Sequence, residues 1–145
     1  MTKRKITRVV VAGTFDGIHP GHHSFLEQAR DLGDELIVIV ARNKTVQQVK
    51  GHEPSRSEQE RCDALSQLPF VKNTVLGDDA GDFLRLVVQL QPDVLALGYD
   101  QWPEESSLAE ELQRRGLPSV KVVRLEPFKP HRYHSSILKR NQPTD

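Results

Sequence analysis

The residues best suited to chemistry lie in one stretch, residues 13–22, with the sequence Gly-Thr-Phe-Asp-Gly-Ile-His-Pro-Gly-His. Its glycines allow the backbone to turn tightly and to approach a ligand closely. Pro20 and Gly21 stand where a helix is expected to begin, and the amides of a first helical turn have no partner within the helix. Together with the positive end of the helix dipole, those amides form a binding site for an anion such as phosphate.

Two histidines flank this predicted helix start. His19 and His22 are three residues apart, so both imidazoles are expected on the same side as the free amides. Each ring can donate a hydrogen bond to a phosphate oxygen. Alternatively, one histidine caps the helix and the other is a surface residue. Zinc binding by His19, His22 and His23 is a further alternative, but phosphate explains the glycines better.

The segments around this stretch alternate between strand and helix. Strands are predicted at residues 9–12, 36–41, 71–76, 93–97 and 120–123, and helices at about 20–32, 57–68, 82–90, 107–115 and 135–140. Ser57 and Glu60 form the capping-box pattern of a helix start. Residues 42–56 are polar and basic and contain Gly51 and Pro54, so we predict a mobile loop there. Each boundary carries an uncertainty of about two to four residues.

This order predicts an α/β fold, with residues 1–145 forming a single Rossmann-like domain: a five-stranded parallel sheet with helices on both faces. Ligands of such sheets bind beyond the carboxyl ends of the strands, where the strand order reverses. Residues 13–22, 98–103 and 128–136 follow strand ends, and we expect these three loops to meet at one cleft.

Composition restricts the class of protein. A chain of 145 residues suits one domain. Twenty acidic residues balance twenty basic ones, which argues against a nucleic-acid or membrane partner. The single cysteine, Cys62, has no partner for an internal disulfide and is expected in the core. No apolar stretch approaches the roughly 20 residues of a membrane span, so we expect a cytoplasmic protein.

Gly-Thr-Phe-Asp followed by His-Pro-Gly-His resembles the signature of the cytidylyltransferase-like (HxGH) nucleotidyltransferases, and the strand–helix order fits that superfamily over nearly the whole chain. Within it, the chain is similar to archaeal-type FAD synthases in residues 12–41, 50–51, 59–61, 92–94, 98–101 and 134–136. Glycerol-3-phosphate cytidylyltransferases typically carry Gly-Asp-Asp-Trp and Arg-Thr-x-Gly-Ile-Ser-Thr strings, which this chain lacks. It also lacks the C-terminal cysteines common in archaeal FAD synthases, so redox sensitivity is not implied.

The resemblance implies roles for residues outside the first loop. A family lysine after the second strand reaches the triphosphate, and Lys44 is expected to be that lysine because it lies just past the strand end. Asp100 is expected to contact base or ribose, with a turn-stabilising role as the alternative. Ser135 and Ser136 are expected to bind the leaving pyrophosphate, with helix capping as the alternative. Arg61 aligns with a family arginine but could be an ordinary charge on a helix surface.

The predicted reaction moves a nucleoside monophosphate from a nucleoside triphosphate to a phosphate-bearing acceptor and releases pyrophosphate. ATP and FMN giving FAD match best, with Mg²⁺ or another divalent cation accompanying the triphosphate and no metal ligand assigned to the protein. Cytidylyl transfer to a glycerol-3-phosphate-type acceptor and a non-catalytic nucleotide-binding module are the alternatives. The resemblance also suggests a homodimer.

The residues predicted to act fall into two groups. The predicted catalytic residues are His19, His22 and Lys44. The predicted nucleotide contacts are Gly13, Thr14, Phe15, Asp16, His19, Pro20, Gly21, His22, Gly98, Asp100, Ser135 and Ser136, with Arg61 as a further candidate.

Overall fold

A computed structural model describes residues 6–78, 82–99 and 104–127. Within these ranges the strands are β1 (Arg8–Gly13), β2 (Glu35–Val40), β3 (Asn73–Leu76), β4 (Val94–Leu97) and β5 (Lys121–Arg124). The helices are α1 (Pro20–Arg30), α2 (Asn43–Lys50), α3 (Glu58–Ser66), α4 (Phe83–Leu90) and α5 (Glu105–Arg114). None of these described helices is long and apolar enough to cross a membrane.

The strands form one parallel sheet in the order β3-β2-β1-β4-β5. β1 is central, with Val10 paired to Ile37 of β2 on one side and to Leu95 of β4 on the other. The chain first builds outward from β1 through β2 to β3, and then returns to place β4 and β5 on the opposite side. The strand order therefore reverses between β1 and β4, which is where this class of sheet binds its ligands. The predicted fold class is confirmed.

The core has two layers because the sheet is covered on both faces. Val9 and Val11 of β1 belong to the cluster that α1 and α3 cover. Val10 points the other way, into the cluster that α4 and α5 cover. All three side chains are fully buried, and each such burial stabilises the fold by about 1.5–3 kcal/mol. Continuous apolar strands such as 36–40 are thus explained by burial on two faces.

The predicted mobile loop at residues 42–56 is wrong over its first half, which forms α2 (Asn43–Lys50). Val46 and Val49 are three residues apart, so both lie on one side of a helix, and Val46 is buried. Gly51 ends the helix in a left-handed conformation, with φ 81°. The sequence did not predict this helix because the segment is polar overall and the helix buries a single apolar residue.

The other predicted elements that fall within the described residues are confirmed with boundary differences of a few residues. The capping box of α3 forms as expected: the Glu60 amide donates to Ser57 Oγ at 3.1 Å, and the Ser57 amide donates to Glu60 Oε1 at 2.8 Å. β3 begins at Asn73 rather than at residue 71, and α5 at Glu105 rather than at residue 107. The predicted last helix, residues 135–140, lies outside the described residues.

Candidate functional site

The start of α1 is capped by its two histidines reciprocally. His19 is the N-cap residue, and its Nδ1 accepts a hydrogen bond from the His22 amide at 3.2 Å. His22 Nδ1 in turn accepts from the His19 amide at 3.4 Å. Since Pro20 has no amide hydrogen and the His22 amide is engaged, Gly21 is the first-turn residue whose amide can face an anion. The other hydrogen-bond donors that this helix start can offer to an anion are therefore the N–H groups of the imidazoles.

The reciprocal cap also fixes how the imidazoles can act. The two rings stack with centroids 3.5 Å apart and planes 13° from parallel, and His22 is buried. Because Nδ1 of each neutral ring accepts from a backbone amide, the ring proton belongs on Nε2. Nε2–H is then the group with which each ring can donate to a phosphate oxygen. Capping uses Nδ1 and phosphate binding would use Nε2, so capping does not exclude the predicted role. The alternative of one capping and one surface histidine is wrong, because both residues cap and His22 is buried.

Phe15 packs against His22. Its side chain is buried, and its ring centroid lies 5.2 Å from that of His22 and 6.2 Å from that of Phe25. A Cβ on Gly13 would come within 2.8 Å of the Phe15 ring, so the glycine is needed for this packing. Phe15 itself has a positive φ of 54°. Among the predicted nucleotide contacts, its ring is therefore an anchor in the core rather than a surface facing the ligand.

Asp16 links the first loop to the segment before α3. Its carboxylate accepts hydrogen bonds from the amides of Ser55 at 2.7 Å and Arg56 at 2.9 Å. Burial opposes ionisation, but these two amides and the positive charge of Arg61 outweigh it and lower the pKa of Asp16. At Gly17, with φ 101°, a Cβ would meet Arg56 Nη1 at 2.7 Å. Asp16 thus has a structural function as a loop tie.

Arg61 is fully buried, so the alternative of an ordinary surface charge is wrong, and its candidate role as a nucleotide contact stays a prediction. Its guanidinium donates to the Thr14 carbonyl at 2.8 Å, to Asn43 Oδ1 at 2.8 Å and to the Arg56 carbonyl at 3.2 Å. Burial lowers the pKa of Arg61, and the Asp16 charge offsets part of that effect. The position on α3 four residues before a core leucine is the sequence signal that could have revealed this burial.

A cavity of about 220 Å³ opens between α2 and the carboxyl ends of β1, β2 and β4. Lys50 lines this cavity, whereas Lys44 is exposed on α2 and is not among the lining residues. The lysine chosen from the sequence is thus not the one beside the cavity. The lining residues are Ala12, Gly13, Thr14, Ile39, Ala41, Thr45, Val46, Val49, Lys50, Gly77, Asp78, Leu95, Ala96 and Leu97.

Of the residues predicted on the far side of the cleft, the structure describes Gly98, whose carbonyl accepts from Arg124 Nη1 at 2.9 Å. Asp100, Ser135 and Ser136 lie outside the described residues, and their roles stay predictions. Burial raises the pKa of the Cys62 thiol, as befits its core position on α3. In the described parts of the chain, no three His, Cys, Asp or Glu side chains are grouped to hold a metal ion.

Comparison with known proteins supports one family. Residues 10–141 match the family model described as cytidylyltransferase-like. A protein of Thermococcus sibiricus named FAD synthase is 43% identical over 142 residues, which cover 98% of this chain and 93% of the relative. An Archaeoglobus profundus protein of the same name is 48% identical over 139 residues, or 93% of this chain and 86% of the relative.

Solved structures agree on the fold. A Thermoplasma volcanium structure described as a lipopolysaccharide core biosynthesis protein has a TM-score of 0.81 and 36% identity, covering 86% of this chain and 100% of that one. Pantothenate synthetase from Thermus thermophilus has a TM-score of 0.56 and 16% identity, covering 97% of this chain and 65% of that one. At that identity the second likeness concerns the fold alone.

Proposed function

The chain belongs to the cytidylyltransferase-like family, and from that premise we propose that it transfers AMP from ATP to FMN, forming FAD and pyrophosphate. Its similarity to archaeal proteins named FAD synthase supports the choice of substrates. The observation that carries the proposal is the reciprocal pair of His19 and His22 at the start of α1. This pair would offer two Nε2 donors to phosphate at the start of α1, and residues 13 and 14 of the same loop line the cavity.

The reaction joins two phosphates. An oxygen of the FMN phosphate attacks the α-phosphorus of ATP, the bond between that phosphorus and the bridging oxygen breaks, and pyrophosphate leaves with the electron pair. The attacking oxygen is already ionised at neutral pH, so no general base is required. Catalysis then rests on alignment of the reactants and on stabilisation of charge at the α-phosphate. His19, His22 and the Gly21 amide are the groups proposed to hold that phosphate.

Further groups complete the proposed site. Lys50 replaces Lys44 as the lysine proposed to contact phosphate, because Lys50 lines the cavity. Ser135 and Ser136 keep their predicted role at the pyrophosphate, and Asp100 keeps its role at the base or ribose. A magnesium ion is proposed to accompany ATP and to take most of its ligands from the triphosphate and water, as this ion commonly does. Such an ion would neutralise negative charge on the phosphates.

The test is an assay of pyrophosphate release by the purified protein with magnesium, in which ATP and CTP are each combined with FMN and with glycerol 3-phosphate. We expect release with ATP plus FMN, and FAD identified by chromatography. Release with CTP plus glycerol 3-phosphate instead would replace the proposed substrates but retain the reaction class. Tight nucleotide binding with no release in any combination would favour a non-catalytic binding module.

A further inference from the structure

The cavity beneath α2 has an apolar interior. Its walls include Ile39, Leu95 and Leu97 from the strands, with Val46 and Val49 from α2. Val49 is 78% exposed, although it lies at the cavity. A ligand in the cavity would remove apolar surface from water there, and this burial would favour binding.

The polar groups of the cavity are few. Thr14 and Thr45 contribute hydroxyls, Lys50 an ammonium group and Asp78 a carboxylate that also pairs with Arg85 at 3.1 Å. An apolar pocket with a small number of polar groups is typical of sites that bind a large ring and fix its orientation. The isoalloxazine ring of a flavin has this character, because one end carries two methyl groups and the other carries carbonyls and an N–H.

The location of the cavity relates it to the phosphate site. Gly13 and Thr14 line the cavity and belong to the same loop as His19, which caps α1. A flavin ring in the cavity would therefore have its ribityl phosphate directed toward the histidine pair. A small acceptor such as glycerol 3-phosphate has no apolar surface to bury in this cavity. The base of ATP is expected instead beside residues 98–101.

From these observations we infer that the cavity binds the isoalloxazine ring of FMN and that Val46 and Val49 of α2 select a flavin over smaller phosphorylated acceptors. This inference rests on the proposed FMN adenylyltransferase function. It assigns specificity to Val46 and Val49, two side chains of α2 that have no proposed contact with phosphate.

A matched pair of variants on α2 tests the inference. Val49→Asn places a polar group at the cavity, whereas Gln48→Asn changes the adjacent, exposed residue that does not line it. Both positions are exposed, and Val and Asn have similar helix propensities, so α2 should form in both variants. Flavin fluorescence titrations without ATP measure binding of FMN and of riboflavin, which has the ring but no phosphate.

We expect Val49→Asn to weaken binding of both flavins about tenfold and to raise the KM for FMN similarly, with the KM for ATP changed less than twofold. Gln48→Asn should leave all four quantities near those of the wild type. A rise in the KM for ATP instead would place the nucleotide base in the cavity, and unchanged flavin binding would exclude the cavity from the acceptor site. Either result overturns the inference.

The same measurements separate the inference from the proposed function. If the wild type forms FAD and Val49→Asn behaves like the wild type, the inference fails and the function stands. If the wild type binds flavin in a Val49-dependent way but forms no FAD, the ring site stands and the proposed reaction fails. If the wild type neither binds flavin nor forms FAD, both are overturned.

Discussion

His19 and His22 each act in two ways because an imidazole has two nitrogens. Nδ1 of each ring caps the other residue's amide, which holds the rings stacked at the start of α1. Nε2 carries the proton that a phosphate oxygen would accept. The structural role and the proposed catalytic role therefore belong to the same side chains, and suitable substitutions should separate them.

We expect His19→Ala or His22→Ala to lower FAD formation by about 10²–10³-fold, because each removes one donor to the α-phosphate. Each should also cost about 1 kcal/mol of stability through loss of the cap. His19→Asn retains an acceptor close to Nδ1 but has no Nε2, so it should keep the stability and lose the activity. Steady-state turnover and thermal unfolding measure the two effects.

His23→Ala is the control for this prediction. His23 is exposed on α1 and its ring contacts Phe70, with centroids 6.0 Å apart. Its replacement should leave turnover within about twofold of the wild type, since surface substitutions seldom change stability by more than about 0.5 kcal/mol. Near-normal turnover in the purified His19→Ala, His22→Ala double variant would contradict the role assigned to the pair.

The two lysines of α2 give a second prediction. Lys50→Ala should reduce kcat/KM by about 10²-fold because it removes a cation beside the phosphates. Lys44→Ala should change kcat/KM by less than about twofold, since Lys44 is exposed and does not line the cavity. The comparison is made by steady-state kinetics on the two purified variants. A larger loss in Lys44→Ala would restore the assignment made from the sequence alone.

At the scale of elements, Arg61 connects three parts of the structure. One guanidinium group binds the loop after β1 through Thr14, the start of α2 through Asn43 and the residues before α3 through Arg56. Thr14 also lines the cavity, and α2 forms one of its walls. The relative position of the loop after β1 and α2 thus depends on this buried side chain, and the candidate role of Arg61 as a nucleotide contact stays a prediction.

We expect Arg61→Met to lower the free energy of unfolding by about 3 kcal/mol, because it leaves buried acceptors such as the Thr14 carbonyl without their donor. Arg114→Met is the matched control: Arg114 is 66% exposed and pairs with Glu111 on the surface of α5. That change should cost less than about 1 kcal/mol. Denaturant titration of both variants measures the difference, and equal losses would refute the connecting role of Arg61.

At the scale of the whole molecule, the strand order brings distant segments to one edge. β1 lies between β2 and β4, so the loop after β1 meets α2 on one side and the end of β4 on the other. Asp16 joins this loop to Ser55 and Arg56, which lie 39 and 40 positions further along the chain. Such long-range ties contribute to the stability of the entire fold, and this one depends on a charge.

The Asp16 tie makes a pH-dependent prediction. The pKa of Asp16 is lowered in the folded state, so its contribution is fully present above the ordinary aspartate pKa and is lost as pH falls through the lower folded value. At neutral pH, Asp16→Asn should cost about 1 kcal/mol of unfolding free energy. The difference between variant and wild type should shrink below about pH 4.

Urea titrations at neutral and acidic pH check this prediction. Glu53→Gln, a carboxylate change in the exposed segment that precedes Ser55, serves as the control and should show little effect at either pH. A cost for Asp16→Asn that stays constant down to the acid transition would show that its charge does not stabilise the fold.

The sequence was sufficient where the pattern is local. Apolar runs predicted the strands, Ser57 and Glu60 predicted the start of α3, and the spacing of His19 and His22 predicted that both imidazoles lie together at the start of α1. α2 was missed because it buries little apolar surface, and Arg61 because a buried arginine depends on acceptors from other segments. Lys44 was preferred to Lys50 because distance along the chain after β2 does not reveal which residues of α2 face the cavity.

The sequence by itself therefore determined the fold class, the family and the identity of the histidine pair, because hydrophobic periodicity and helix-start chemistry act over a few neighbouring residues. The tertiary structure decided the burial of Arg61, the tie at Asp16 and the apolar cavity beside Lys50. These features require parts of the chain that are far apart in sequence to meet at the carboxyl edge of the sheet. Their geometry follows from the packing of α2 and α3 against the sheet, which short-range patterns do not encode.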